Sequence, residues 1–218
     1  FTREPVEIPD IDAAGRFLPP FDPENIRFLR SSPLSEAVAV LGGSSYSYFR
    51  YETHLAALNA LPVYDEICTA FSNTFGRKYE AIEAYRCEYA EILFFMIGSF
   101  TTKAREAVDR LRDAGKAVGL LRPRLLRPFP EEAIRRALAG KKGVAVIDQN
   151  LSMGKGGVLH AELASTLYGR PDAPRALVSF IAGLGGRDIT AEEFYEMAKV
   201  TEQAGQDGVI PPPRLLYT

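Results

Sequence analysis

Three arginines crowd behind one apolar run: Arg122, Arg124 and Arg127 follow AVGLL. Guanidinium groups grip carboxylates and phosphates through paired, parallel hydrogen bonds. The set suits an anionic substrate, or pairing with Asp148, Asp188 or a neighbouring subunit, and structural or interface pairing is the favoured reading. A second loop, Gly154-Lys155-Gly156-Gly157, leads into a helical pattern. Backbone N–H groups there could cradle a phosphate at a helix N-terminus. The loop lacks the G-x-x-x-x-G-K-[ST] spacing of a P-loop, and GLGGRD, ending in Gly185, Gly186, Arg187 and Asp188, lacks G-x-G-x-x-G. In both loops, glycines suited to tight strand-to-helix turns are the plainer explanation. Asp148 and Asn150 stand two apart behind VAVID, a spacing shared with some metal motifs. At a strand end, however, Asp and Asn are expected as turn formers.

Other combinations fail as chemistry. Ser152, His160 and Asp148 make a triad on paper, but no G-x-S-x-G elbow accompanies them and His160 lies within a helical apolar pattern. Glu131-Glu132 and Glu192-Glu193 fall in first helical turns, where the positive end of the helix explains them. Cys68 and Cys87 are too few for an iron–sulfur motif, and His54 has no second histidine near it. The sequence therefore assigns no catalytic residue and no metal ligand.

The elements that must position these groups are legible from Tyr89 onward. AEILFFMIGS, AVGLL, VAVID and ALVSFIAGL are apolar runs of strand length. Between them lie helical patterns: one after Ser99, Thr101 and Thr102, which are candidate caps, one from Pro130 to Gly140, and one through GGVLHAELASTLYG. A last helix starts at Ala191, with Thr190 and Glu193 as a capping box. Strands alternating with helices predict an α/β domain of three layers with a mostly parallel sheet. Ligands of such sheets bind beyond the carboxyl ends of the strands. That edge collects Gly98-Ser99, Arg122 to Arg127, Asp148 to Gly157, and Gly183 to Asp188.

Ahead of this domain, residues 1–35 are proline-punctuated and read as an extended arm or linker. Residues 36–88 read as an irregular and helical connecting region. AVAVLGG within it is a candidate fifth strand, and Tyr46, Tyr48 and Tyr51 could line an interface, with ordinary packing of an irregular segment the favoured reading. A helical pattern from Glu52 to Glu83 is expected to break at Pro62 and Gly76 into two or three pieces. Residues 89–218 form the α/β domain, with a proline-rich extended tail from Gly205. The chain opens on Phe1, as a processed or partial chain would.

Composition narrows the partners. A formal charge of −2 gives no basic footprint for nucleic acid, no run is long enough for a membrane helix, and no signal peptide pattern opens the chain. Two cysteines fit a reduced, cytoplasmic compartment.

RPRLLRPFPEEAIRRAL, VAVIDQN, GKGGVLHAEL and FIAGLGGRDIT occur in that order within residues 122–190, and FLPPFDP lies near the N-terminus. In these motifs the chain resembles the alpha subunit of pyruvate:ferredoxin oxidoreductase and related 2-oxoacid:ferredoxin oxidoreductases. The resemblance implies a domain like the C-terminal domain of transketolase, concerned with assembly and with shaping the site. It also implies that thiamine diphosphate, magnesium and iron–sulfur clusters are held by other subunits or domains, with ferredoxin and CoA as partners of the whole complex. The family reaction is oxidative decarboxylation of a 2-oxoacid to an acyl-CoA, or its reverse. Two other readings of the residues stay open: a stand-alone module for a phosphorylated ligand such as CoA, and a purely structural assembly domain.

Overall fold

The computed structural model describes residues 5–21 and 42–217. The chain divides into two compact units, Pro5–Tyr79 and a larger one running from Glu80 to the C-terminus.

In the larger unit the four apolar runs are four parallel strands. They are β2 (Ile92–Met96), β3 (Val118–Pro123), β4 (Gly143–Asp148) and β5 (Ala176–Ile181). Two edge strands flank them: β1 (Ile82–Tyr85), antiparallel to β3, and the short β6 (Arg214–Leu215), parallel to β5. The sheet order is β1-β3-β2-β4-β5-β6. The domain is thus a mostly parallel α/β sheet covered on both faces.

β2 sits at the centre because all five of its side chains are apolar and all are buried. Successive side chains alternate between faces. Ile92, Phe94 and Met96 pack with α3 (Thr101–Asp113) and α6 (Ala191–Asp207), which contribute Ala104, Val108, Phe194 and Met197. Leu93 and Phe95 pack with α4 (Glu131–Leu138) and α5 (Val158–Leu167), through Ile134, Leu138, Leu159 and Leu163. Phe94 and Phe95 are fully buried. Truncating either to alanine removes about 3–5 kcal/mol of stability.

Local signals set the helix ends. Thr190 caps α6 and Glu193 returns the bond to the Thr190 N–H, the complete capping box, and Gly208 ends the helix in the left-handed region at φ 74°. At α3 the expected Ser/Thr cap is absent. Phe100 occupies the N-cap position, while Thr101 Oγ1 turns back to donate to the Gly98 carbonyl at 2.8 Å.

Several expectations for the N-terminal part are corrected. Within the arm expected to be extended lies α1 (Ile11–Phe17), capped by the Asp10 carboxylate on the Asp12 and Ala13 N–H groups. The region expected to hold two or three helical pieces is one 33-residue helix, α2 (Gly43–Phe75). Pro62 lies inside it; a proline removes one hydrogen bond, and the turns on either side carry the helix past it. Tyr46, Tyr48 and Tyr51 are therefore helical. Gly76 does terminate the helix, at φ 70°. The segment up to Glu83 is not helical: Ile82–Tyr85 form β1, so the sheet begins before Tyr89. The candidate strand AVAVLGG falls mostly outside the described residues, and its Gly42 and Gly43 open α2. In the tail, α6 runs on to Asp207 and β6 follows, so it is not uniformly extended.

Candidate functional site

Because β2 to β5 run parallel, their carboxyl ends share one edge of the sheet. β3 and β4 leave β2 on opposite sides, which makes the crevice between the ends of β2 and β4 a topological switch point, where open α/β sheets take ligands.

Gln149 fills that crevice. Its Nε2 donates to the Ile97 carbonyl at the end of β2, 3.0 Å away. Gly98, at φ 84°, lies against the same amide, and Gly183, at φ 75°, lies against Gln149 and Phe100. A β-carbon at either glycine would approach these side chains to 3.2–3.3 Å. The glycines thus serve both the left-handed turn and close packing. Ser99, beside Gly98, is exposed and accepts through its carbonyl from the Thr102 N–H.

Asp148 is buried and points at the start of α5. Its Oδ1 accepts from the Leu159 N–H at 2.7 Å and its Oδ2 from the His160 N–H at 3.1 Å. Asn150 Oδ1 takes the Val158 N–H at 3.1 Å. A helix N-terminus favours negative charge, and here the chain's own carboxylate provides it. Burial pushes the Asp148 carboxyl above its ordinary value, against the opposing pull of those two N–H groups. Burial also pushes the half-buried His160 imidazole below its ordinary value. Gly157 makes the arrangement fit, since any β-carbon there would overlap the Asp148 carboxylate.

The Gly154–Gly157 loop folds back on itself. Ser152 and Gly156 form an isolated bridge, with the Ser152 N–H donating to the Gly156 carbonyl at 2.8 Å and the Lys155 and Gly156 N–H groups donating to the Ser152 carbonyl. Together with Asp148 and Asn150, these bonds engage the N–H groups of residues 155, 156, 158, 159 and 160. The side chain of Lys155 lies at the surface.

The three arginines do not act as one set. Arg122 and Arg124 turn to Glu83 on β1, which Arg105 of α3 also reaches. Glu83 and Arg122 face each other directly across the β1–β3 ladder. Arg127 instead pairs with Glu162 of α5 at 2.5 Å and caps the Leu126 carbonyl. The pairing expected with Asp148 or Asp188 is thus met by Glu83 for Arg122 and Arg124 and by Glu162 for Arg127. Asp188 takes Lys103 from the first turn of α3, and this contact holds its carboxyl below the ordinary value. Arg187 bridges the Asp188 carbonyl and Glu193. Gly185 and Gly186, at φ 65° and 81°, shape the turn between β5 and α6.

Sequence reasoning passed over Gln149, Glu83 and Arg105. Gln149 sits between two residues that were singled out, so its place at a strand end was the available signal. Nothing local marks Glu83, whose role depends on a strand pairing across 39 positions. Among the described residues, no group of three or more His, Cys, Asp or Glu side chains is placed to hold a metal ion. No described helix is long and apolar enough to cross a membrane.

Comparison with known proteins places this edge in a family. Residues 90–194 match the model for pyruvate:ferredoxin oxidoreductase core domain II. The chain is 40% identical over 201 residues to pyruvate synthase subunit PorA of Methanothermobacter thermautotrophicus, covering 92% of this chain and 51% of that protein. It is 34% identical to PorA of Pyrococcus abyssi, covering 97% and 53%, and 33% identical to ketoisovalerate oxidoreductase subunit VorA of Pyrococcus horikoshii, covering 95% and 52%. A chain of the 2-oxoglutarate:ferredoxin oxidoreductase from Magnetococcus marinus superposes on 63% of this chain, and on 22% of its own length, with TM-score 0.40 and 23% identity. The chain spans about half the length of the curated relatives it matches. By its matched domain and its similarity to PorA subunits along nearly all of its own length, the chain belongs to the pyruvate:ferredoxin oxidoreductase family.

Proposed function

We propose that this chain is the assembly and site-shaping part of the alpha subunit of a 2-oxoacid:ferredoxin oxidoreductase that acts on pyruvate. In the whole enzyme the 2-oxoacid loses carbon dioxide, its acyl group passes to CoA, and the electron pair goes to ferredoxin; the reverse direction is equally open. The observation that carries this reading is the 40% identity to a PorA subunit over 92% of the chain.

The geometry supports a supporting rather than a reacting role. Asp148 and Asn150 are the nearest approach to a magnesium–diphosphate pair, and both carboxylate oxygens and the amide oxygen are committed to α5. These residues do not fit a thiamine diphosphate site, so the cofactor belongs elsewhere in the enzyme. Two cysteines do not ligate a cluster, which needs four thiolates or thiolates plus histidines. The chain's own residues stiffen the edge: Gln149 locks β2 to β4, Asp148 pins α5, and Glu83 gathers arginines from α3 and β3. A rigid edge of this kind is a surface on which other subunits can seat. The two unpaired thiols are in keeping with a cytoplasmic enzyme.

The reading as a stand-alone module for CoA or another phosphorylated ligand has less behind it, because the N–H groups of residues 155, 156, 158, 159 and 160 are already hydrogen-bonded within the chain. Titration of the purified chain with thiamine diphosphate and magnesium, followed by viologen reduction with pyruvate and CoA, tests the proposal. No binding and no turnover by the chain alone is expected, with turnover regained on adding the remaining subunits. Turnover by the chain alone would overturn it.

A further inference from the structure

The first half of α2 lies open along its length. Every residue from Gly43 to Ala60 is exposed, and Cys68 is the only buried residue of the whole helix. Yet this stretch and the turns after it carry Tyr48, Tyr51, Leu55, Leu58, Phe49, Val63 and Ile67, each exposed by 40–60%. Most helical stability in proteins comes from packing of an apolar face, and clustered exposed apolar side chains mark an interface.

The apolar residues fall into two stripes. Tyr48, Tyr51, Leu55 and Leu58 recur at i, i+3, i+7 and i+10, and Phe49, Val63 and Ile67 make the second stripe, with Ala56 and Ala60 among them. At 3.6 residues per turn the two stripes lie roughly 130° apart. Between them runs a polar line, Glu52, Asn59 and Glu66, spaced seven residues apart. Both glutamates are exposed, and among the described residues neither makes an ion pair. A single helix of a second copy would cover one stripe and leave the other wet. Two stripes with acids between them require a groove with two apolar walls and cationic donors along its floor.

We infer that the Gly43–Ile67 part of α2 seats in such a groove on the remaining half of the subunit, the length of polypeptide that the relatives carry beyond the stretch this chain matches. This inference rests on the proposed function, in that it takes the whole enzyme to contain that half. Apolar walls take up the tyrosines and leucines, and lysine or arginine side chains on the floor meet Glu52 and Glu66.

The test is made in the assembled enzyme, expressed from its own locus with its neighbouring genes. A photo-crosslinking p-benzoylphenylalanine replaces Leu55 in one variant and Ile67 in another, and the crosslinked peptides are identified by mass spectrometry. Crosslinks from both positions to the polypeptide corresponding to the relatives' other half are expected. A double charge reversal, Glu52→Lys with Glu66→Lys, is expected to lower the yield of those crosslinks at least tenfold. It should leave the far-ultraviolet circular dichroism of this chain unchanged, because neither side chain is buried. Crosslinks to residues 22–41 of this chain, to a second copy of it or only to some other subunit, no crosslinks, or an unaltered crosslink yield in the charge-reversed variant would each overturn the inference. Whether the same preparation reduces a viologen with pyruvate and CoA reports separately on the proposed function.

Discussion

Replacing Gly157 by alanine asks whether Asp148 anchors α5 as the geometry requires. The backbone at Gly157, φ −73° and ψ 139°, is open to any residue, so conformational strain does not enter. The new methyl group would instead overlap the Asp148 carboxylate and stand 2.8 Å from its β-carbon. Either the carboxylate swings away and loses the Leu159 and His160 N–H groups, or α5 lifts off the sheet and loses packing at Leu159 and Leu163. Each hydrogen bond to a charged group is worth about 1.5–3 kcal/mol, and a buried carboxylate left without partners adds to the loss. Gly157→Ala should therefore cost about 3–5 kcal/mol in urea denaturation at 25 °C. In an Asp148→Gly background both the carboxylate and the β-carbon are gone, and the same substitution should cost less than about 1 kcal/mol, giving a coupling energy of at least ~2 kcal/mol in the double-mutant cycle. A cost below about 1 kcal/mol in the otherwise unaltered chain, or equal costs in both backgrounds, would refute the reasoning.

Three further outcomes follow from the same edge of the sheet. Glu83→Gln leaves Arg105, Arg122 and Arg124 gathered around a neutral amide; with Glu83 only 14% exposed but Arg105 half open to solvent, a loss of about 2–3 kcal/mol is expected in thermal or urea unfolding. His160 is held neutral by burial, so as pH falls through about 6.5 the unfolded chain takes up a proton that the folded chain refuses until lower pH. Stability should accordingly drop between pH 7.5 and 5.5, and His160→Gln should flatten that slope in urea midpoints. Asp148, whose folded carboxyl is raised, acts with the opposite sign and in the lower, carboxylate range, where protonation favours the folded state. Lys155→Ala should change stability by no more than about 0.5 kcal/mol, and millimolar inorganic phosphate should produce no thermal shift in either form. A phosphate-dependent shift lost in Lys155→Ala would revive the loop as an anion site.

The amino-acid sequence by itself determined the elements whose causes are local. The five apolar residues of β2, a run too short for a helix and bounded by Gly98, read as a strand buried on both faces, and the T-x-x-E box ahead of α6 closes its own hydrogen bonds with residues three apart. The glycines at 98, 183 and 208 announce left-handed turns because other residues adopt positive φ at a cost. The tertiary structure decided everything that depends on which strands become neighbours. β1 is short and borders a helical stretch, so nothing near it in sequence declares that Glu83 will lie opposite Arg122 and draw in Arg105 from α3. Likewise Asp148 and Asn150 were legible as strand-end turn formers. That their oxygens would be spent on the N–H groups of α5, eight to twelve residues on, was fixed only when the loop folded back through the Ser152–Gly156 bridge. A hydrogen bond between neighbours in sequence follows from residue type and spacing, whereas one between distant residues needs the loop closed first, and the energy that closes it comes from the whole core.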